Sequence, residues 1–453
     1  MWSAPRTLLL LLILAALLVG AGVLIGRGTG DEPGPARTGP TPPATATPAT
    51  GTDASPRLAI GLDTLDAILL TPAGTAVPPA FEDARGTVAA IAPRHVRVDV
   101  RWDLLQPEAG VPLDPNRPMY DGCAREGVGP CQGEVSLTRL LTAIAAARKA
   151  RPGHYRPLIT FWGMPDWAGT APSAGCRAGE AREGAQPLGA DGDEAYRAAV
   201  RRVAAAVRAA GLDGADWTPW NEPNAPYFID PQRAGCAADA APVAPAVYAR
   251  MTRILDEELD ARPATAEPER LVLGELATWA APSERAVPAD EFVRALSDDV
   301  LCRADVLSVH GYLEARPRSG RGEPIAAALR ELDRRRCLDG RPAWITETAV
   351  GSPRSGGRRI TRDAVLRSEC RLMHQQLTRW WHDPRVTAAF QYSVREDTAF
   401  PVGLLDPGLE RTYPVAEVWR RWGGDRDPGA PPPASPEGCA TGASSRGSGA
   451  PGG

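Results

Sequence analysis

Apolar and polar positions change their period along this chain in a regular alternation. Short runs rich in β-branched and aromatic residues read as strands: Leu58–Leu62, His95–Trp102, Pro157–Trp162, Asp216–Asn221, Leu271–Ala277, Val306–Tyr312, Ala343–Thr348 and Thr387–Val394. Between them lie Ala/Leu/Arg segments whose apolar residues recur at helical spacing. Leu137–Ala150, Glu194–Ala210, Ala246–Leu259, Pro324–Arg335 and Asp363–Trp381 are examples, and they predict amphipathic helices. Eight strands, each followed by a helix, predict an α/β fold, a (β/α)8 TIM barrel. A doubly wound sheet is the rival, but no GxGxxG turn follows any strand.

The same pattern sets the domain limits. Leu8–Gly26 is one uninterrupted apolar run of roughly the ~20 residues that a membrane-spanning helix needs. It lacks the short core and small-residue cleavage site of a signal peptide, so 1–27 reads as a transmembrane anchor in preference to a cleaved signal segment. Residues 28–56 are Pro, Thr, Ala and Gly, a disordered linker, and 423–453 read as a Gly/Pro/Ser-rich disordered tail. The barrel is expected at 57–422. Its location follows: extracytoplasmic and membrane-anchored, or secreted if the N-terminal segment is removed.

Composition narrows the function by exclusion. The chain has 453 residues with a net charge of -4, without the basic stripe of a nucleic-acid binder. Its single lysine, Lys149, leaves arginine to supply almost all positive charge. Eight cysteines form no CxxC pair and accompany no HExxH, so neither a zinc site nor a thioredoxin-like centre is indicated. No cofactor or metal is expected.

In such a barrel the reacting groups project from the C-terminal ends of the strands. The fourth strand runs into Trp217-Thr-Pro-Trp-Asn-Glu-Pro-Asn224, which puts Asn221 and Glu222 at the rim, and the seventh ends Trp344-Ile-Thr-Glu-Thr348 with Glu347 there. Two carboxylates over one barrel mouth are what glycosidic-bond hydrolysis requires. One protonates the leaving oxygen and the other attacks or activates water. Arg97 and Tyr312 are suited to hold an ionised Glu347, and His310 with its aromatic surroundings to help Glu222 keep its proton. Glu275 also stands near a strand end, whereas Asp63 and Asp99 read as structural or substrate-contacting.

Several of these segments resemble the motifs of clan A retaining glycoside hydrolases. Trp-Asn-Glu-Pro-Asn (220–224) and Ile-Thr-Glu-Thr (345–348) are similar to their acid/base and nucleophile motifs, Val-Arg-Val-Asp-Val-Arg-Trp (96–102) to their second-strand arginine motif, and Val-His-Gly-Tyr (309–312) to their sixth-strand His-x-Tyr. Phe-Trp-Gly-Met-Pro-Asp-Trp-Ala (161–168) and Gly-Leu-Leu-Asp-Pro-Gly (403–408) resemble members near families 39 and 5. The resemblance implies Glu222 as general acid/base, Glu347 as nucleophile, Asn221 on the sugar 2-hydroxyl, and Arg97 and Tyr312 orienting Glu347. One departure stands out. The eighth strand carries Phe390-Gln-Tyr-Ser393 where the family has a tryptophan platform, which makes Tyr392 the substitute candidate.

Of the twelve tryptophans, Trp162, Trp167 and Trp220 are assigned to the cleft, where aromatic faces stack on sugar rings. Trp217 and Trp344 are assigned to the core, and Trp380, Trp381, Trp419 and Trp422 to helix packing. With the barrel in place, Cys123 pairs naturally with Cys131, Cys176 with Cys236, Cys302 with Cys337 and Cys370 with Cys439, although sequence alone leaves the connectivity open. The expected partner is a poly- or oligosaccharide. Two alternatives share the features: a non-catalytic cell-surface glycan-binding protein on the same barrel, and a transglycosidase with the same residues. Sugar, linkage, oligomeric state and endo or exo action are not specified by the sequence.

Overall fold

Eight parallel strands, β1 (Ala59–Asp63), β2 (His95–Arg101), β3 (Arg156–Trp162), β4 (Asp216–Thr218), β5 (Arg270–Ala277), β6 (Val306–His310), β7 (Ala343–Thr348) and β8 (Val386–Gln391), pair in sequence order and close between β1 and β8. The computed structural model describes residues 57–440 apart from 65, 121–128, 171–183, 264, 266, 279–282, 284–285, 313–323, 352–358 and 397–399. After the strands come α1 (Pro79–Ile91), α2 (Leu137–Ala150), α3 (Asp193–Ala209), α4 (Ala244–Asp260), α5 (Ala289–Ala295), α6 (Pro324–Leu332), α7 (Asp363–His382) and α8 (Val415–Trp422). The (β/α)8 expectation is borne out, with most element boundaries within two residues. The clearest exception is β4, expected to reach Asn221 but ending at Thr218, because Pro219 has no N–H to give to the ladder.

Strand alternation decides what faces where. On β2, Val96, Val98 and Val100 are fully buried in the main apolar core, the shell between barrel and helices. His95, Arg97, Asp99 and Arg101 are the alternate residues, facing the barrel interior as a polar ladder from base to mouth. The interior base is sealed by Ala59, Leu158, Val272, Val306, Trp344, Ala388 and Phe390. There His95 packs against the rings of Trp344 and Phe390 at 4.7 and 5.6 Å. Burial drives its pKa down to about 3, so it stays neutral. Beside it, Asp216 accepts paired hydrogen bonds from Arg156 and Arg270 at 2.7–2.9 Å.

Disulfides join Cys302 to Cys337 and Cys370 to Cys439, as expected, and Cys131 and Cys236 are also disulfide-bonded. Cys123 and Cys176 lie outside the described residues. The segment after α8 continues against the barrel: Asp425 accepts from His154 Nε2 at 2.6 Å and from Arg151 at 2.8 Å, and Cys439 is fully buried. The apolar run at 8–26, the linker at 28–56 and residues 441–453 lie outside the described residues. Among the described residues no helix is long and apolar enough to cross a membrane.

The β1–β8 seam depends on one missing side chain. A Cβ at Gly61 would stand 2.3 Å from Cδ1 of Phe390, inside the ring that fills the barrel base. Gly61→Val is therefore expected to lower stability by about 1–3 kcal/mol through overpacking. Urea-denaturation midpoints measure this, and an unchanged midpoint would contradict the seam as described.

Candidate active site

The mouth of the barrel holds a cleft of about 490 Å³, in the ~300–1,000 Å³ range of small-molecule sites. Its polar lining is Asp99, Asn221, Glu222 and Glu347, and its aromatic lining is Trp162, Tyr227, Phe228, Tyr312, Tyr392 and Phe400. Glu222 reaches it from the loop after β4. That loop is rigid: Asn221 N–H donates to the Phe161 carbonyl, Tyr196 Oη to Pro219, and the Asn224 amide bonds both ways with Ala277 on β5. Glu222 itself sits at φ +34°, a conformation rare for a side-chain-bearing residue and maintained by this surrounding network.

Glu347, on β7, has both oxygens held. Oε1 lies 2.9 Å from Arg97 Nη1, and Oε2 accepts from Tyr312 Oη at 2.6 Å. An oxygen of Glu347 lies within 4.8 Å of one from Glu222. His310, fully buried on β6, stands between them, with Nδ1 2.8 Å from Glu222 Oε1 and 3.4 Å from Glu347 Oε2.

Beneath the cleft floor Arg97 is the hub. Its guanidinium donates to Glu275 Oε2 at 2.7 Å, Asp63 Oδ2 at 2.6 Å and Asn221 Oδ1 at 2.7 Å, and lies 3.0 Å from Asp99 Oδ1. Because Arg97 takes the Asn221 oxygen, the amide NH₂ is left for the cleft. Glu275 comes from a bulge in β5, where Gly274 and Glu275 both adopt positive φ. It is completely buried, and the sequence reading had kept it only as a second strand-end carboxylate.

These neighbours set the charges. Burial works against a charged imidazole, yet Glu347, Glu222 and Glu275 outweigh it and push His310 up to about 10. Burial also opposes the Glu275 anion, but Arg97 and then His310 pull it down to about 2. Burial raises Glu347 above the usual carboxylate range against the pull of His310 and Arg97. His310, expected to help Glu222 keep its proton, is thus itself the cation. Glu222, His310 and Glu347 are close enough to meet on one metal ion. A metal there would first have to displace the His310 proton.

The expected residues divide cleanly. Asn221, Glu222, Tyr312, Glu347, Trp162 and Tyr392 line the cleft, and Arg97 and His310 lie directly behind them. Trp220 and Trp167 do not line it: Trp220 is fully buried and donates to Phe228 O, while Trp167 donates to Gln106 O and packs edge-on to Trp102. Tyr227, Phe228 and Phe400 were missed. They belong to loops, where no periodicity reports which way a ring turns.

No protein-family model and no curated protein matches the sequence. Solved structures share its architecture at low identity. SrfJ from Salmonella typhimurium is 11% identical with a TM-score of 0.50, over 81% of this chain and 75% of that one. A family 39 glycoside hydrolase from the gut symbiont Bacteroides cellulosilyticus WH2 is 15% identical with a TM-score of 0.46; 81% of this chain matches, spanning 63% of that protein's length. The GH53 catalytic domain of Ignisphaera aggregans is 16% identical with a TM-score of 0.49, over 80% and 96% of the two chains. The likeness to SrfJ is one of fold alone.

Glu275 titrates in the folded protein near 2, below its ordinary 4.5. Its contribution to stability is therefore complete above about 4.5 and lost as the pH falls toward 2. Glu275→Gln, which leaves Arg97 and His310 short of a counter-ion, is expected to cost about 3–5 kcal/mol at neutral pH. The gap to wild type should narrow on acidification below 4.5. A gap that stays constant down to about pH 3 in denaturation series contradicts this charge arrangement.

Proposed function

We propose that the protein is a retaining glycoside hydrolase acting on a poly- or oligosaccharide, with Glu347 as nucleophile and Glu222 as general acid/base. The observation that carries this reading is the pair of carboxylates from the end of β7 and the loop after β4, with oxygens within 4.8 Å across one cleft. Retaining enzymes need carboxyl groups about 5–5.5 Å apart for direct attack, whereas inverting ones leave ~6.5–9.5 Å for a water.

In the first step Glu347 attacks the anomeric carbon while Glu222 gives its proton to the departing glycosidic oxygen. The C–O bond to the leaving group breaks and a glycosyl ester to Glu347 forms. In the second, Glu222 takes a proton from water, which attacks the same carbon and releases Glu347. Arg97 and Tyr312 fix the nucleophile's two oxygens, so the attack pays little orientational entropy. Asn221 NH₂ donates to the 2-hydroxyl in this reading, a role supported by Arg97 taking the amide oxygen. His310 Nδ1, 2.8 Å from Glu222 Oε1, holds that carboxyl in place in the cleft. The aromatic lining supplies the faces on which sugar rings stack. The barrel is further proposed to work outside the cytoplasm, anchored by the apolar run at 8–26. The disulfides, which form in oxidising compartments, support export.

The test is chemical rescue. Glu347→Ala should lose nearly all hydrolysis of aryl glycosides, and azide should restore turnover with a glycosyl azide of inverted configuration as product. Glu222→Ala should slow substrates with poor leaving groups by about 10²–10⁴-fold and activated dinitrophenyl glycosides far less. Full activity of Glu347→Ala refutes the assignment.

A further inference from the structure

Three carboxylates line the cleft, and two of them have hydrogen-bond donors within the protein. Glu222 has His310 and Glu347 has Tyr312. The third, Asp99, is only 8% exposed, and no hydrogen bond reaches its carboxylate from any described residue. Its single close partner is Arg97 Nη1, 3.0 Å from Oδ1, a contact that neutralises charge without the alignment of a hydrogen bond. Buried polar atoms left without donors are costly, and in a native site they call for an occupant. Asp99 lies two residues beyond Arg97 on the inward face of β2, one pleat closer to the mouth, and faces the space above the hub.

Among the described residues the charge around that space is one-sided. No cation lines the cleft among the described residues. Arg97 is buried below it and committed to Asp63, Glu275, Asn221 and Glu347. Arg101, next on the inward face of β2, is paired with Asp103 at 2.5–2.8 Å and lies over the Trp162 ring at 4.2 Å. An anionic substituent entering here would meet carboxylates and, among the described residues, no free donor cation.

We propose that Asp99 reads the sugar unit at the reacting position by accepting hydrogen bonds from its donor groups, and that the cleft takes neutral or amino-bearing glycans and rejects uronates and sulfated sugars. The shared ligand chemistry is a pair of hydrogen donors, adjacent hydroxyls or an ammonium beside a hydroxyl, facing one carboxylate. Burial raises the Asp99 carboxyl above its ordinary value, with Arg97 pulling the other way, and donors from a ligand would favour its anion further. This selectivity builds on the glycosidase reading but is recognition chemistry, so binding can test it without turnover.

The experiment is calorimetric titration of the intact protein with cello-, manno-, xylo- and chitosan-oligosaccharides and with oligogalacturonate, repeated with Asp99→Asn. Binding of at least one neutral or amino series, with oligogalacturonate at least tenfold weaker, is expected. Asp99→Asn should weaken the accepted series by roughly 10- to 100-fold, as for a hydrogen bond to a charged group. Cello- against chitosan-oligosaccharides separate the hydroxyl source from the ammonium source. Should Asp99→Asn fold poorly, monodeoxy analogues of the bound sugar titrated into the wild type give the same readout, because one deletion should reproduce the loss. Oligogalacturonate binding as well as neutral glycans, no glycan binding at all, or an unchanged affinity in both Asp99→Asn and the deoxy series overturns the proposal. Glycan binding that depends on Asp99 without hydrolysis leaves it standing and removes the glycosidase reading instead.

Discussion

A single guanidinium holds the upper half of this barrel together. Arg97 on β2 reaches Asp63 on β1, Asp99 on its own strand, Asn221 after β4, Glu275 on β5 and Glu347 on β7. A neutral residue there would leave those carboxylates to repel one another in a region from which water is largely excluded. The cost of burying so many ionisable groups is tolerable only because each is paired, and removing the centre leaves uncompensated charge behind. The position of Glu347 is thus a by-product of a stability requirement. Glu347 is oriented because Arg97 needs it.

His310 extends the arrangement upward. It carries the second positive charge and touches Glu222, Glu347 and Glu275 together, so the protonation of any one carboxylate is felt by the others. Below, at the barrel base, the logic reverses. His95 is neutral between two aromatic rings, and Asp216 is neutralised by two arginines. The polar ladder of β2 therefore passes from a neutral imidazole to a charged hub to an unsatisfied carboxylate in alternate residues, which is the order from packed core to open cleft.

Much of this was legible in the sequence, and the reasons are physical. Strand alternation and helical spacing are consequences of backbone geometry, so the eight βα units and the strand-end position of Glu347 could be read directly, whereas Glu222 lies on the loop beyond a strand shorter than expected. The pairing of Cys302 with Cys337 followed once the order of elements was known. Glu275 was undervalued because its inward turn comes from a bulge that alternation does not encode. Asp99 was seen as structural or substrate-contacting, and only the third dimension shows that no hydrogen-bond donor reaches it from the described residues. Trp167 and Trp220 illustrate the opposite error. A ring near a strand end is as useful for plugging the loop layer as for stacking on a sugar, and its N–H partner decides which.

The seam between Ala59 and Ala388 has a consequence for how the molecule comes into being. The first strand finds its second neighbour only when nearly the whole domain has been synthesised, and Phe390, whose ring passes over Gly61 to seal the base, is among the last barrel residues to emerge. Until then β1 and the newest strand present open edges, the state in which parallel sheets are slowest to form and most exposed to wrong pairing. Arg97 waits through the same interval for the seventh strand to deliver Glu347. A growing chain therefore carries the acidic cluster without its full complement of partners, and the cleft comes into existence late, close to the moment the cylinder shuts.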